Sequence, residues 1–455
     1  MNDAIEIWNA GVDAVRPKRL LAEHVAVGPH ALRVDAAEIS LAGVQRIVVV
    51  GGGKAAATMA HALDRSVLRD LRACQPSIQV EGWLNCPAET IDRGSSLDGI
   101  HLHPARPSGV NEPTQQAVLG TERILQLVET AAPQDLVVVL LSGGGSALLC
   151  APPPGITLRD KQSFAREMAR AGADIIQLNT VRRAISRVKG GGLARACRAG
   201  RMVGLILSDV IGDDLSIIAS GPTVVDPPPS AAEALAVLGQ LHLLDRPQLQ
   251  SVIKYLRQQV QQSVPPATAR VDNFVIGNLV TAVDAAGVAA VDRGYRYVML
   301  VPRKPEGDVH QVARRAANAI TQLLQSDTVD CWISGGEPTV SIPPEIRDPE
   351  GGRNQHLALA ILDELTQRGW PDQFANKWLT VVCGGTDGED GTTQAAGAWF
   401  DATVWRRAQA EGLNPGRFLG AFQSHRFFAA CGGLLETGPT GTNVCDLRVA
   451  TVRSR

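Results

Sequence analysis

The residues best suited to chemistry lie in short glycine-rich turns that follow apolar runs. The apolar run 47–50 precedes Gly51, Gly52, Gly53 and Lys54. A glycine turn at the start of a helix leaves backbone N–H groups available to an anion, and the helix dipole favours negative charge there. Lys54 would add a point charge suited to a phosphate or carboxylate. The alternative is an exposed lysine on a tight strand–helix turn.

The same turn fits the pattern Gly-x-Gly-x-x-Ala, a loose dinucleotide fingerprint. The acidic residue expected about 20 positions further on is not clearly present, because Glu81, the nearest candidate, comes late. The Walker A spacing also fails, and alanine follows Lys54. An anion-binding turn is therefore the interpretation that we carry forward.

A second turn follows the apolar run Leu136–Leu141. Three consecutive glycines allow backbone N–H groups to converge as an anion nest, and two flanking hydroxyls could add donors. The nucleophile elbow Gly-x-Ser-x-Gly is absent, which argues against a serine hydrolase. A tight turn without a ligand is the alternative. The candidate residues are Ser142, Gly143, Gly144, Gly145 and Ser146.

A basic segment precedes a third glycine run. Asn179 or Thr180 is expected to cap a helix that continues to Lys189, which stands directly before three glycines. Arg183 and Arg187 would share one face of this helix at i, i+4. A solvated basic face is the default interpretation, and a helix that lines the binding site of a polyanion is the functional one.

Acidic residues follow three of the apolar runs. Asp209 follows the run 203–207, Glu337 follows two glycines after the run 331–333, and Asp387 follows the run 379–383 and two glycines. Carboxylates at strand ends beside phosphate-binding turns are where Mg²⁺ is commonly held. A turn-forming aspartate is the alternative for each.

Arg353 stands where a cation is disfavoured. It follows Gly351 and Gly352 and begins a helical pattern with Asn354. The helix dipole opposes positive charge in the first turn. We therefore expect Arg353 to grip a carboxylate or phosphate with its planar fork.

Unbroken apolar runs that alternate with helical patterns predict an α/β fold with a parallel sheet. Ligands of such sheets bind beyond the carboxyl ends of the strands, where all of these turns would lie. Proline-rich stretches at 222–230 and 263–267 indicate two α/β units, one before about residue 222 and one after about residue 270, joined by a helical connector. The two units need not be strictly sequential.

Composition excludes several functional classes. The 455 residues carry a net charge of −2, so no basic surface for nucleic acid is expected. No apolar run reaches the roughly 18 residues that a membrane span needs, and the N-terminus lacks the pattern of a signal peptide. Scattered cysteines and histidines without metal-ligand spacing make zinc unlikely and favour a cytoplasmic protein. The 45 glycines indicate close approach of the backbone to a ligand at many turns.

The motifs together resemble those of the glycerate 2-kinase family, also called the MOFRL family, over about residues 5 to 450. The segments that carry the resemblance are VVVGGGKAA, LLSGGGSALL, NTVRRAISRVKGGGLA, LSDVIGDDLSIIASGPTV, SGGEPTV, GGRNQHLALA, GGTDGEDGTT and TGPTGTNV. Small departures, at residues 277–279 and at Cys445, bear on fine specificity.

The resemblance implies a two-domain protein with the active site in a cleft: a Rossmann-like domain at 1–240, a connector at 241–325 and a MOFRL-type α/β domain at 326–455. It implies an ATP-dependent kinase that phosphorylates D-glycerate at the 2-hydroxyl with Mg²⁺, as a monomer or homodimer. Lys54, Arg353 and Asp209 are the expected catalytic residues, and Asp209 and Asp387 the expected metal ligands. The expected substrate- or phosphate-binding residues are Gly52, Gly53, Ser142, Gly143, Gly144, Gly145, Ser146, Lys189, Glu337, Asn354 and Thr386.

Two alternatives from other classes are a hydroxypyruvate reductase that uses NAD(P)H and a non-catalytic sensor of a sugar acid. The glycine fingerprint at Gly51 supports the reductase, and the missing acidic residue argues against it. In the kinase, Arg353 and loop 142–146 would hold the glycerate carboxylate while Lys54 neutralises the transferred phosphoryl group. Replacing Lys54 or Arg353 by alanine is expected to abolish most turnover with folding intact.

Overall fold

A computed structural model describes residues 3–91, 96–107, 110, 112–226 and 228–454. Within these residues the strands form three sheets. The apolar runs 47–50 and 136–141 lie in β4 and β7, respectively. The strands are β1 (Val25–Val27), β2 (Ala31–Val34), β3 (Ala37–Ser40), β4 (Arg46–Gly52), β5 (Gln79–Pro87), β6 (Ile100–Arg106), β7 (Leu136–Leu141), β8 (Arg201–Leu207), β9 (Arg270–Gly277), β10 (Tyr297–Leu300), β11 (Cys331–Gly336), β12 (Lys377–Gly385), β13 (Gly397–Asp401), β14 (Leu434–Leu435) and β15 (Asp446–Ser454).

The helices alternate with the strands through most of the chain, as the sequence pattern predicted. They are α1 (Asp3–Ala14), α2 (Pro17–His24), α3 (Ala56–Leu63), α4 (Arg69–Cys74), α5 (Gln115–Glu129), α6 (Gly145–Leu148), α7 (Leu158–Arg170), α8 (Ile175–Ala184), α9 (Gly192–Ala196), α10 (Ala231–Gln240), α11 (Gln250–Gln259), α12 (Leu279–Asp292), α13 (Val309–Gln325), α14 (Arg353–Gln367), α15 (Ala402–Ala410), α16 (Pro415–Gly420) and α17 (Ser424–Cys431). Within the described ranges, no helix has the length and hydropathy needed to span a bilayer.

The chain divides into two compact units. The N-terminal unit is Leu20–Ile276, and the C-terminal unit combines the described residues up to Arg19 with those from Gly277 onward. The predicted two-domain α/β fold is thereby confirmed. The division falls at other positions than 240 and 325, because the expected connector is shared out: α11 packs in a core of the N-terminal unit, and α12 and α13 pack in cores of the C-terminal unit.

Helix α1 joins the C-terminal unit because its apolar face is buried there. Ile7, Trp8 and Val12 lie in one hydrophobic cluster with residues of α12 and β15. The indole N–H of Trp8 donates to the carbonyl of Leu447 at 3.0 Å. A Cβ atom at Gly11 would lie 2.6 Å from Leu447 Cδ2, so α1 approaches the sheet more closely than a larger residue would permit.

The N-terminal unit is built on a six-stranded sheet of order β6-β5-β4-β7-β8-β9. Pairs β6–β5, β5–β4, β4–β7 and β7–β8 are parallel, as expected for a Rossmann-like sheet. Strand β7 is buried at every position, which explains its uninterrupted apolar sequence. A three-stranded antiparallel sheet, β1-β2-β3, accompanies it.

The C-terminal unit contains a mixed six-stranded sheet of order β10-β11-β15-β12-β13-β14. Strand β15 is antiparallel to both of its neighbours, β11 and β12, which therefore run in the same direction. Leu447 and Val449 of β15 lie in the core with α1, whereas Ala450 and Val452 lie in the core with α14. Both faces of this sheet are thus covered, which fits the apolar sequence of its central strands.

Candidate active site

Two turns of the N-terminal unit meet because their strands are paired in parallel. Gly52 at the end of β4 is in register with Leu141 at the end of β7. The backbone N–H of Lys54 donates to the carbonyl of Gly143 at 2.8 Å. The turn with Lys54 and the turn with the three glycines are thus brought together, as the sequence predicted.

Ser142 is used inside the fold. Its side chain is fully buried, and its Oγ accepts a hydrogen bond from the backbone N–H of Ala55 at 3.0 Å. Gly53 lies directly against it: the φ of Gly53 is +155°, and a Cβ atom there would lie 2.1 Å from Ser142 Oγ. Gly53 and Ser142 therefore determine the shape of the turn, and the expected contact of either residue with a ligand stays a prediction.

Ser146 belongs to a hydroxyl pair. Gly144 has left-handed backbone, and Ser146 lies in the one-turn helix α6 that follows it. Ser146 Oγ and Ser220 Oγ lie 2.8 Å apart. Ser220 Oγ also donates to Asn179 Oδ1 at 3.4 Å. The pair brings the segment around Ser220, which lies in the motif 207–224 but was not itself predicted to bind a ligand, to the edge of loop 142–146.

The segment around Ser220 is unusual in its backbone. Ala219 has φ 50°, Ser220 has φ 62° and the next residue, Gly221, has φ 66°. Left-handed backbone at a non-glycine residue costs about 1 kcal/mol or more and persists only where neighbours enforce it. Two neighbours do so: Gly190 N–H donates to the Ser220 carbonyl at 2.9 Å, and Gly191 N–H donates to the Gly221 carbonyl at 2.6 Å.

Lys189 lies at the junction of these turns. Its side chain is buried, and Nζ donates to the Ser146 carbonyl at 2.7 Å. Burial, with the nearby charges of Lys161 and Arg182, lowers the pKa of Lys189 to about 7. The structure thus places Lys189 beside Ser146, as the prediction of a shared anion site required.

The helix expected before Lys189 begins and ends earlier than predicted. Helix α8 starts at Ile175 and ends at Ala184, so Lys189 lies in the following turn. Asp174 caps the helix, because its side chain accepts a hydrogen bond from the N–H of Gln177. The predicted cap at Asn179 or Thr180 is therefore wrong. Arg187 consequently shares no helix face with Arg183, and both its contacts at 2.7 Å are to the carboxylate of Glu122.

Asp209 follows β8 at the same edge of the sheet. Strand β8 is parallel to β7, and Ile206 is in register with Leu141. Asp209 comes three residues after Ile206 and is partly exposed. Its position at a strand end agrees with the sequence prediction, while its role as a metal ligand or catalytic residue stays a prediction.

Three strand ends meet in the C-terminal unit. Asp446 at the start of β15 is in register with Gly336 at the end of β11 and with Gly385 at the end of β12. Glu337 and Thr386 directly follow those glycines. Sequence reasoning missed Asp446, because the insertion of an antiparallel strand between β11 and β12 has no local signal.

Arg353 begins α14 and binds two of these acids. Its Nε and one terminal nitrogen donate to the two oxygens of Asp446 at 2.7 and 2.9 Å. The other terminal nitrogen donates to Glu337 Oε1 at 2.8 Å. The expected fork grip is present, and its partner within the chain is a carboxylate. Because a guanidinium has five N–H donors, two remain beyond these three bonds.

The charges of this cluster shift one another. Burial raises the pKa of Glu337, the guanidinium of Arg353 opposes this shift, and the carboxylates of Asp446 and Asp387 add to it. Burial alone would lower the pKa of Arg353, but Asp446 and Glu337 outweigh burial and hold it above its ordinary value. Arg353 is therefore positively charged throughout the working range of pH.

Asn354 and the buried Asp390 hold the first turn of α14. Asp390 Oδ1 accepts from the Asn354 N–H at 3.0 Å, and Oδ2 accepts from the Gln355 N–H at 2.8 Å and from Gln355 Nε2 at 3.0 Å. Burial raises the pKa of Asp390 to about 6. A Cβ atom at Gly352 would lie 2.3 Å from Asp390. Asn354, expected to bind substrate, is itself 1% exposed and lies against Asp390.

Thr386 serves the fold in the same way. Its buried hydroxyl donates to the Cys445 carbonyl at 2.6 Å and accepts from the Val444 N–H at 2.8 Å. The Thr386 carbonyl accepts from the hydroxyl of Thr440 at 2.6 Å. These bonds tie segment 440–445 to the end of β12, so the hydroxyl of Thr386 has a structural task, and ligand binding by it stays a prediction.

Asp387 follows Thr386 and forms a turn. Its Oδ1 accepts from the Glu389 N–H at 3.2 Å. Across the described residues, no three metal-ligating side chains converge on one point. Mg²⁺ is commonly held by only one or two carboxylates together with substrate phosphates and water. The donor set of Asp387 and the nearby Glu337 is compatible with that arrangement.

The dinucleotide interpretation loses its remaining support at the end of β5. The residue in register with Gly52, where a ribose-binding acid would stand, is Asn85. Asn85 is fully buried, and Nδ2 donates to the carbonyls of Leu148 and Ala117 at 2.8 and 3.2 Å. Glu81 pairs with Arg46 at 2.6 Å. Neither residue presents a carboxylate to a ribose.

Comparison with known proteins gives matches along the whole chain. Residues 3–257 match a domain of unknown function (DUF4147), and residues 330–446 match the MOFRL family. The chain shares 34% identity with human glycerate kinase over 99% of its length and 93% of the relative's. It shares 30% identity with glycerate 2-kinase of Pyrococcus horikoshii over 99% and 97% of the two lengths. A protein of Agrobacterium vitis named putative hydroxypyruvate reductase is 34% identical over 90% and 87%.

Solved structures agree with this result. The crystal structure of glycerate kinase from Thermotoga maritima is similar at a TM-score of 0.80, with 29% identity and 99% coverage of both chains. A protein from Pyrococcus horikoshii gives a TM-score of 0.78, with 28% identity over 100% and 98% of the two chains. The fold is thus that of a class of two-domain α/β kinases. Within this class, the chain belongs to the glycerate kinase family.

Proposed function

We propose that the protein is a kinase that transfers a phosphoryl group from ATP to the 2-hydroxyl of D-glycerate, with 2-phosphoglycerate and ADP as products. The observation that carries this proposal is the similarity to glycerate kinases and to a glycerate 2-kinase along almost the full length of both chains. The charge distribution supports it, because each unit holds a polar cluster suited to one part of the reaction.

The N-terminal unit supplies positive charge and backbone donors. Lys54 lies on a turn held against Gly143, at the edge where the parallel strands end. In our proposal Lys54 neutralises charge on the transferred phosphoryl group, and the N–H groups around Gly143, Gly144 and Gly145 bind carboxylate oxygens of glycerate. Phosphoryl transfer depends mainly on such positioning and charge stabilisation.

The C-terminal unit supplies the residues for a cation. Three carboxylates, those of Glu337, Asp387 and Asp446, influence one another here, and Arg353 binds Glu337 and Asp446. Carboxylates of this kind are ligands that Mg²⁺ accepts together with substrate phosphates and water. We propose that Asp387, with Glu337 near it, is a ligand of Mg²⁺. Asp209, at the end of β8 in the N-terminal unit, stays a predicted metal ligand. Bound Mg²⁺ would neutralise phosphate charge on the nucleotide.

Arg353 would act on the substrate with the donors that remain. Three of its N–H groups are held by Asp446 and Glu337, which fix the plane of the guanidinium. The other two could bind the carboxylate of glycerate in a preset orientation. Such orientation contributes to the rate because it removes the entropy cost of alignment from the chemical step.

A coupled assay of ADP release tests the proposal. Purified protein with D-glycerate and Mg·ATP should release ADP, and ³¹P NMR should identify 2-phosphoglycerate and not the 3-phosphate. Lys54→Met should lower kcat/KM by about 10²–10³-fold, whereas Lys254→Met, on the exposed face of α11, should not. Failure of the wild-type protein to release ADP with either enantiomer of glycerate would refute the proposal.

The alternative activities receive a parallel assay. Consumption of NADH with hydroxypyruvate is expected to be absent, because neither Asn85 nor Glu81 can bind a ribose hydroxyl pair as an acidic residue would. The expected oligomeric state, monomer or homodimer, and the cytoplasmic location stay predictions. Light scattering of the purified protein tests the first of them.

A further inference from the structure

Strand β10 lies at one edge of the mixed sheet of the C-terminal unit and exposes an apolar sequence. It pairs in parallel with β11, and among the described strands no other pairs with it. The side chains of Val298, Met299 and Leu300 are exposed. The outer N–H and C=O groups of an edge strand are a template for a further strand, and soluble proteins usually protect such an edge with a charge or a proline. None of the residues of β10 is charged or a proline.

Helix α12, which precedes β10, is apolar on its exposed side as well as on its buried side. Only three of its 14 residues are polar, namely Thr281, Asp284 and Asp292. A helix that is apolar all round is normally buried all round, yet α12 has a face that remains exposed. Helix α13 of the same unit shows the usual pattern, because its exposed side chains are all polar or charged.

The exposed apolar residues of α12 and β10 belong to one region. A Cβ atom at Gly287 would lie 2.9 Å from the ring of Tyr297, so the helix and the strand are in close contact. Six of the fourteen exposed large apolar side chains of the described residues lie within 280–300, with 44–61% exposure. Contiguous apolar patches of this kind mark interaction sites, whereas scattered single residues do not. We call these six residues the β10 edge surface; they are Val280, Val288, Val291, Val298, Met299 and Leu300.

Charged residues lie at both ends of β10 and differ in sign. Asp292, the last residue of α12, lies before the strand, whereas Arg303 and Lys304 follow it. All three side chains are exposed, and among the described residues none of them forms an ion pair. Opposite charges that the chain itself leaves unpaired are suited to a partner that presents the same charges in the reverse order.

The other charges at the start of β10 are already neutralised within the chain. Arg293 pairs with Glu6 at 3.1 Å, and Arg296 pairs with Asp330 at 3.0 Å. The negative charge of Asp292 therefore determines the character of this end of the strand toward a partner.

We propose that the β10 edge surface is the contact between two copies of this chain, in which β10 of one copy pairs antiparallel with β10 of the other about a two-fold axis. Such an axis brings identical patches together. It places the C-terminal end of each strand beside the N-terminal end of its partner, so Arg303 and Lys304 of one copy approach Asp292 of the partner subunit.

This arrangement accounts for each of the exposed features. The outer N–H and C=O groups of the two strands bond to each other, as in any antiparallel pair, and the two sheets become continuous. An axis perpendicular to the joined sheet keeps both α12 helices on the same face, where their exposed valines meet. The unusual apolar side of α12 is then buried, and the polar exposed side of α13 stays in water.

Analytical ultracentrifugation of the full-length protein, over a range of micromolar concentrations, tests the proposal. The wild type should sediment as a dimer, with twice the chain mass of 48.2 kDa. Met299→Glu brings two like charges together and removes an apolar contact, so it should raise the dissociation constant about tenfold or more. A monomeric wild type, or a dimer that Met299→Glu leaves intact, would overturn the proposal.

Val260→Glu, directly after α11 in the N-terminal unit, is the matched control. Val260 is 47% exposed and Met299 is 48% exposed, so both changes replace an equally accessible apolar side chain by a negative charge. Val260→Glu should remain a dimer. Circular dichroism should give the same spectrum for the wild type and both variants, which separates dissociation from unfolding.

Exchange of charges tests the antiparallel direction of the strands. Asp292→Lys places a positive charge opposite Arg303 and Lys304 and should weaken the dimer about threefold or more, because the axis repeats the contact. The effect should be larger at low ionic strength than at high. Asp292→Lys/Arg303→Asp/Lys304→Asp restores opposite charges and should recover most of the affinity. A triple variant as weak as Asp292→Lys would overturn the antiparallel arrangement.

Discussion

Replacing Arg353 by an uncharged residue should destabilise the C-terminal unit strongly, so that loss of activity in such a variant would not by itself show a catalytic role. The side chain of Asp446 is completely buried, with 0% exposure. Both of its oxygens accept hydrogen bonds from Arg353, at 2.7 and 2.9 Å. Arg353→Met keeps most of the apolar stem and removes the guanidinium. It therefore leaves the carboxylate of Asp446 buried without its partner.

The size of the effect follows from the burial of the two acids. Breaking a buried ion pair by removing one member costs about 3–5 kcal/mol, because the other charge remains desolvated. The contact with Glu337, which is 45% exposed, adds less than about 1 kcal/mol. A loss of about 3–5 kcal/mol is a large part of the roughly 5–15 kcal/mol that stabilises a typical protein. Arg353→Met/Asp446→Asn should recover much of it, since the buried charge is then gone.

Tryptophan fluorescence during urea denaturation measures this loss of stability mainly in the C-terminal unit. Six of the seven tryptophans lie in the C-terminal unit; they are Trp8, Trp332, Trp370, Trp378, Trp399 and Trp405. Lys54→Met, in the N-terminal unit, is the control and should leave the fluorescence transition in place. An Arg353→Met protein with the wild-type transition would refute the reasoning. The expectation that Arg353→Ala leaves folding intact is accordingly replaced, and Arg353→Lys, which keeps the charge, is the variant for kinetics.

Three further predictions concern single groups. The pKa of Lys189 is about 7 in the folded protein and near 10.5 in the unfolded chain. Between these pH values the unfolded chain binds more protons, so the free energy of unfolding rises with pH. From pH 7 to pH 9 it should rise by about 2 kcal/mol more in the wild type than in Lys189→Met, as measured by urea denaturation. Asp390→Asn should destabilise by about 1–3 kcal/mol and lower kcat, because one accepted N–H bond from the turn that carries Arg353 is lost; unchanged urea and kinetic data would contradict this. Gly53→Ala should reduce ADP release severely, because its Cβ would lie 2.1 Å from Ser142 Oγ. Turnover equal to that of the wild type would contradict this prediction.

The site of the N-terminal unit could be predicted because its logic is local. Each turn directly follows a buried apolar strand, and parallel pairing of β4 with β7 brings Lys54 and Gly143 together without further information. The strand, the glycine turn and the helix follow one another directly in the sequence. The same reasoning placed Asp209 at the end of β8, in line with the other two turns.

The site of the C-terminal unit could be predicted only in part, because one of its central residues comes from a distant segment. Arg353 was found through its conflict with the helix dipole, yet its partner Asp446 lies 93 residues away. Asp446 reaches it because β15 inserts between β11 and β12. Helix α1 is a similar case, since burial of Trp8 against Leu447 crosses almost the whole chain. A pattern in consecutive residues carries no signal for such contacts.

Counting donors and acceptors separates the residues that shape the site from those that can bind a ligand. The hydroxyls of Ser142 and Thr386 are buried and form hydrogen bonds with backbone groups, so each has a structural task, and ligand binding by either stays a prediction. Arg353 is divided, with three N–H groups given to carboxylates and two left over. Lys189 lies at the other extreme, since its ammonium has three donors and the one hydrogen bond described for it goes to a neutral carbonyl. Burial lowers the pKa of Lys189 to about 7, so this side chain can lose its charge near neutral pH, and ligand binding by it stays a prediction.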